Sequence, residues 1–596
     1  MIVSLSPRLE GNAAERFLAL TRTLYQACQR NRGNDLRMLL DEELKWCRSS
    51  LDNAQKAAYE ASVRVLLDLV RLGWQVREEG YGIELVAERP RVSRLTPEAI
   101  RKEKGKTQEL FRPAVEAQLR DPAVRNFVAR MESPSVKSGK KPITVLIADG
   151  PELHDRLLNV ARTHAEESDS LAAAVSPYLQ LVTSTGSDEF TGHSLREIWR
   201  YFRYTWSIPQ FATPGRQLLY LVRDAAHPYH AVMGIIGLNN CALQMGEERE
   251  YYLGWNLRAL KERLLASAAQ SAKSLADEFV WLEQQITSAL NDVDPTALVP
   301  AAEVQYPTEE TITRLHRRAK EFDFLRDETL RELVAARSGN DSPVLVAETE
   351  DFDYGHPPVC EEMLGLEAKP ASNPVMQKAR KHLVARKRAA LLADLLHARF
   401  TLGKYRDDLL DQQRLTVVLE REEVGIALQT ILAALKSRYA GINMLEISTC
   451  GAIPPYQHVL GGKLAALLLF SPEIADDYRR LYTGPSIISS QLKNAPVHRD
   501  NTLVYLGTTS LYAQGSSQYE RLRLPAGVIA PDQPELRYLR VGLTSGYGTL
   551  QFLAETREAV EQYMNQNRAF PDVNSIFGEG PSPKLRKLVM NLARAV

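Results

Sequence analysis

LLYLVRDAAHPYHAVMGIIGLNN, residues 218–240, holds two apolar runs, Leu218–Arg223 and Ala231–Leu238, on either side of a turn at Asp224–Tyr229. Short runs rich in Leu, Val and Ile, bounded by Gly, Pro and Asp, read as strands. Upstream, Ile143–Ala148 is a β-branched run expected to open the same core. Downstream, from about Asn256, the period turns helical: Leu275, Phe279, Leu282, Ile286 and Leu290 recur at three and four residues and make one apolar stripe. Helical patterning lasts to about Tyr439, after which Asn443–Thr449 is extended again. The expected fold is therefore α/β (α+β): a mixed-sheet core, a long helical insertion into it, and a helical N-terminal domain. The corresponding divisions are 1–90 (helical domain ending in a hairpin), 91–142 (helical connector and linker), 143–255 (first part of the core), 256–439 (insertion) and 440–596 (second part of the core, with the candidate site).

Within the first ninety residues, Phe17, Leu20 and Leu24 share one helix face, as do Leu36, Leu40 and Leu44, and a third apolar segment runs from Val63 to Leu72. WQVREEGYGIELVAE, residues 74–88, then reads as a hairpin about Gly80–Gly82. Helices followed by a hairpin fit a winged-helix DNA reader, or a docking domain capped by a small ribbon. The third helix carries few basic residues to face phosphates, which favours docking. A charged connector, Pro97–Met131, and the stretch SPSVKSGKKP lead into the core.

At 596 residues the chain is longer than one core normally grows. Lys plus Arg and Asp plus Glu both number 74, so only a clustered patch could attract phosphate. Five cysteines stand singly, without the spacing of a zinc site or redox dithiol. MIVSLSPRLEGN lacks the pattern of a secretory signal, and the longest apolar run, Leu464–Phe470, is too short to span a bilayer. The expectation is a cytoplasmic protein with no membrane partner.

Several clusters offer chemistry. KARKHLVARKR carries Lys378, Arg380, Lys381, Arg386, Lys387 and Arg388 without an acid. Such a row can neutralise phosphates of DNA or RNA, or be a solvated helix face. SLREIWRYFRYTW interleaves Arg200 and Arg203 with aromatic rings, either a base-stacking platform or a helix that buries its rings and lets arginine stems reach water. Asp351, Asp353, His356 and Cys360 match no metal motif, and no metal is expected. Gly461-Gly462-Lys463 after an extended run would point helix-start amides at an anion, although it is not a Walker loop. Gly578–Lys584 is likewise no Walker loop and reads as helix entry. LGTTSLYAQGSSQYERLRLP, residues 506–525, crowds hydroxyls around Tyr512, Ser516 and Tyr519. It lacks the nucleophile-elbow pattern and reads as a binding loop or a hydrogen-bonded turn.

Taken in order, GIIGLNN…YYLGW, LGGKLAALLLFSPE, LVYLGTTSLYAQGSSQYERLRLP, SGYGTLQF and VNSIFGEGPSPKLRKL resemble the DruA-like family, built on the A protein of the Druantia anti-phage defence system and defined by a domain of unknown function. The resemblance spans roughly residues 105 to 596. It implies a role in bacterial defence beside other defence-system proteins, including a large helicase-like protein, and keeps DNA or RNA in view. It supplies no catalytic residue and leaves the cofactor unknown. A weaker analogy is to an acetyltransferase-like (GNAT) scaffold, in which a glycine turn between strand and helix binds the pyrophosphate of an acyl-coenzyme A and a tyrosine protonates the leaving thiolate. Gly461, Gly462 and Lys463 would stand at the cofactor, with Tyr519, Tyr512 and Ser516 as catalytic candidates. His458 and Lys463 depart from the usual turn. Three readings stay open: a nucleic-acid-associated defence component, a cofactor-dependent transferase, and a non-catalytic scaffold.

Overall fold

A computed structural model describes residues 2–5, 9–29, 36–71, 74–79, 82–86, 118–134, 139–163, 168–206, 215–241, 245–338, 374–459, 461–509, 518–542 and 553–566, with isolated positions between 96 and 116. Among these, no helix is long and apolar enough to cross a membrane.

Three helices follow one another early in the chain: α1 (Gly11–Gln29), α2 (Leu36–Ser50) and α3 (Asn53–Arg71). Phe17, Leu20 and Leu24 are all buried, as the stripe on α1 requires. The hairpin strands follow as β2 (Gln75–Glu79) and β3 (Gly82–Val86), paired antiparallel. A strand not expected from the sequence, β1 (Ile2–Leu5), lies on the other side of β3. Four residues are too few to display a period, and the partner is some eighty positions away along the chain, so local patterning could not find it. Helix α3 is buried on several sides, through Tyr59, Ala61, Val63, Val65, Leu66 and Leu69. A helix so enclosed is not free to enter a DNA groove.

The core is a five-stranded sheet in the order β4 (Pro177–Leu181), β5 (Gln217–Asp224), β6 (Ala231–Asn240), β7 (Met444–Ala452), β8 (Tyr505–Gly507). Each of the first four is antiparallel to the next, and β8 runs parallel to β7. Strands β5 and β6 are buried along nearly their whole length, because both faces of the sheet are covered. One face packs Leu219, Leu221, Val232 and Ile235 against helix α4 (Leu195–Trp206). The other packs Tyr220, Met233, Ile236, Leu445 and Ile447 against Tyr456, Ala465 and Tyr478. Ile143–Leu146 is a tight 3-10 turn rather than the expected strand. Its Ile143 and Leu146 are fully buried, so the apolar run serves the core without joining the sheet.

Between β6 and β7 in sequence lies a helical block whose core includes Leu275, Phe279, Leu282, Ile286 and Leu290. Its two longest helices, α6 (Glu309–Ser338) and α7 (Pro374–Lys404), pack along each other.

Candidate functional site

After β7 the chain passes a cis Pro454–Pro455 bond and a short helix, Tyr456–Val459, before Gly461 opens α8 (Gly461–Leu468). The expected direct strand–turn–helix therefore contains an extra helical turn, and His458 belongs to that turn. Gly461 has φ +59°, a conformation glycine adopts without penalty. Gly462 is pressed against Gln518: a β-carbon there would lie 2.6 Å from the Gln518 amide carbon. Lys463 Nζ donates to the Glu520 carbonyl at 2.8 Å. The glycine corner and the segment entering strand β9 (Arg523–Leu524) are thus in direct contact: Gln518 packs against Gly462, while the space beside Gly461 is open.

Gln518 also ties this segment to the sheet, donating to the Cys450 carbonyl at 2.8 Å and lying 3.2 Å from its sulfur. Tyr519 turns inward, its ring 4.9 Å from that of Tyr538, with the Cys450 and Thr508 side chains near its hydroxyl. Burial pushes the Tyr519 hydroxyl far up and the Cys450 thiol up to about 12. Both shifts favour the protonated forms, which disfavours a thiolate at Cys450. Tyr512 and Ser516 lie outside the described residues.

A second polar group sits where β8 ends. Helix α5 (Glu247–Tyr252) carries Arg249 over this edge. Its guanidinium grips Glu446 of β7 with two hydrogen bonds, 2.7 and 3.2 Å, and donates to the Thr508 carbonyl at 3.0 Å and the Thr509 hydroxyl at 3.2 Å. Cys241 lies 3.9 Å from Glu446, with its thiol pushed up to about 12, first by burial and then by that carboxylate. Thr508 joins the two groups: its carbonyl meets Arg249 while its hydroxyl donates to the Ile447 carbonyl at 3.2 Å on the Tyr519 side. Sequence reading missed Arg249 and Glu446. The available signal was a lone acid inside the otherwise uncharged MLEIS, since a carboxylate in a covered strand needs a cation.

The cationic residues singled out in the sequence occupy several different settings. On α7, Lys378, Lys381 and Lys387 are exposed and Arg380 is half-buried. Arg386 pairs with Asp323 at 3.0 Å. Arg388 donates to the Gln491 carbonyl at 3.1 Å and lies 3.6 Å from Asp294, which fastens α7 to its neighbours. Arg200 stacks on Phe127 at 4.5 Å and on Tyr204 at 5.1 Å. Arg203 is only 5% exposed and lies over Tyr204 at 4.4 Å, out of reach of a phosphate in solution. Trp199, Tyr201, Phe202 and Tyr204 are buried, so α4 spends these rings on the sheet rather than on an open stacking platform. Asp351, Asp353, His356, Cys360 and Gly578–Lys584 lie outside the described residues. Among the described residues no three His, Cys, Asp or Glu side chains are grouped to hold a metal ion.

The two strand-bearing parts of the chain match one family model, described as Druantia protein DruA, over residues 149–275 and 437–594. A curated relative, Druantia protein DruA of Escherichia coli (strain UMEA 4076-1), is 31% identical over 147 residues. The chain is DruA-like. That alignment covers 24% of the present chain and 32% of the relative, so it spans about a third of the relative's length. No solved structure matches. In this DruA-like chain, Arg249 falls in the first matched segment, while Glu446, Gly461, Thr508 and Tyr519 fall in the second. Helix α7 and its cationic row fall in neither.

Proposed function

We propose that this chain is a cytoplasmic component of a Druantia-type anti-phage defence system, acting with partner proteins, a helicase-like protein among them, on or near nucleic acid. One observation carries the reading. The two family-matched segments, separated by the helical block, pair as β6 and β7 of one sheet, and Arg249 of the first clasps Glu446 and Thr508 of the second. In this reading the α/β core, 143–255 and 440–596, carries the activity. The 256–439 insertion, the 1–90 domain and the 91–142 connector carry partner contacts.

Phage plating on cells carrying the whole operon tests it. Removing this chain should abolish protection. Glu446→Gln, which keeps the side-chain shape and discards the charge that Arg249 holds, should lose protection while the chain stays soluble at normal levels. Full protection by soluble Glu446→Gln chain would sink the site.

The order of antiparallel β5–β6–β7 followed by parallel β8 favours an acyltransferase-like scaffold as the second reading, with Gly461, Gly462 and Lys463 at the cofactor. Gln518 weighs against a working cofactor site, because its side chain packs against Gly462. Calorimetry with acetyl-coenzyme A separates the two. Wild-type chain should give no binding heat, and clear saturable binding would move the assignment to a transferase.

A further inference from the structure

Residues 518–542 build a two-stranded ribbon from β9 and β10 (Leu536–Arg537), with Leu536 opposite Leu524 and Arg537 opposite Arg523. Alternation along the strands sends Leu522, Leu524, Leu536 and Tyr538 inward. Tyr538 anchors the ribbon on α8 by donating to the Ala466 carbonyl at 2.7 Å, with its ring 4.9 Å from that of Phe470. The outward positions are Arg521, Arg523 and Arg537, with Arg540 just beyond, and all four are exposed. Among the described residues none of the four has an ion pair or hydrogen bond to a side chain. Glu520, Asp532 and Glu535 are the acids of the ribbon, exposed and likewise without an ion pair to these arginines.

Two like charges facing each other across an antiparallel pair are unfavourable in the free protein. Arg521 is in addition held at φ +66°, a region that side-chain-bearing residues rarely occupy. At the ribbon tip, Gln533 closes the loop, accepting from the Ile529 amide at 3.1 Å. Val528 and Ile529 are left 60% and 40% exposed there. Unpaired arginines along a narrow ribbon with apolar residues at its tip match a nucleic-acid groove, whose walls are phosphate and whose floor is base edges. By contrast, the row on α7 already uses Arg386 and Arg388 internally.

We propose that the β9–β10 ribbon is a nucleic-acid-binding surface in which Arg521, Arg523, Arg537 and Arg540 contact the phosphodiester backbone. The proposal rests on the reading that the chain works on or near nucleic acid, and names the surface that does so. Fluorescence anisotropy of the full chain with labelled duplex DNA, single-stranded DNA and RNA tests it across a salt series. The double variant Arg523→Gln/Arg537→Gln should weaken binding of the preferred probe by about tenfold or more and lower the log–log salt slope by about two for a duplex, while its melting curve matches wild type. Unchanged affinity and slope would overturn the proposal, as would a wild-type chain that binds none of the probes. Displacement of the probe by polyglutamate as efficiently as by unlabelled DNA would also overturn it, since the face would then suit an acidic protein. A chain that protects cells from phage but binds no nucleic acid removes the ribbon and leaves the defence role standing. Binding through the ribbon without protection does the reverse.

Discussion

His193 is 4% exposed, and its Nε2–H donates to the Lys141 carbonyl at 3.0 Å. Burial lowers its pKa below the usual 6.5, and burial likewise lowers that of His227. For His193 the nearby Lys140 and Arg130 push the same way, while the Lys141 carbonyl and Glu197 oppose them. The fold prefers both rings neutral, whereas the unfolded chain takes up a proton near pH 6.5. Their contribution to stability is therefore complete above that pH and lost as pH falls through the folded values. Melting temperature should decline on acidification from about pH 7.5 to about pH 5.5, and His193→Gln should flatten part of that decline. An equal decline in the variant would assign the effect elsewhere. At this scale Tyr519, Gly461, Gly462 and Lys463 were readable as a group of polar and glycine positions. What they touch was not, because Cys450, Gln518 and Thr508 come from separate elements and meet only through folding.

Elements whose whole face is buried were legible: the α1 stripe, the Leu275–Leu290 stripe, β5 and β6 each repeat one pattern for long enough to exceed chance. Short or half-buried pieces were not. Strand β4 is an edge strand with mixed exposure that begins at Pro177, and Ile143–Leu146 looks β-like only because its residues are branched. The α8 entrance shows the same limit, since Gly461-Gly462 announces a turn without saying what lies against it. Gly462→Ala should cost about 1–3 kcal/mol through overpacking against Gln518. Adding Gln518→Ala should recover most of that loss, measured by chemical denaturation. A single variant as stable as wild type would mean that Gln518 moves aside freely and that the corner is open to a ligand.

Across the molecule a segment late in the chain packs on the N-terminal helices. Helix α9 (Ala554–Gln566) packs Val560 and Tyr563 into the core of α1–α3, and the Leu553 amide donates to Asp68 Oδ2 at 2.9 Å. Asp68, 3% exposed, also pairs with Arg71 at 3.0 Å. Truncation after residue 552 should accelerate hydrogen exchange in α3 between Ala61 and Leu69 and leave β5 and β6 protected. Equal protection of α3 in both chains would show that α9 does not complete this core. The sequence by itself determined which segments are helical or extended wherever burial imposes a period, the mixed α/β class, and the DruA-like resemblance. Tertiary structure alone decided that β6 takes β7 as its neighbour across the helical block, that Arg249 answers Glu446, and that α9 closes on α3. Periodicity reports only how a segment meets its own surroundings. Pairings between distant segments depend on shape and charge that exist only once both partners are in place.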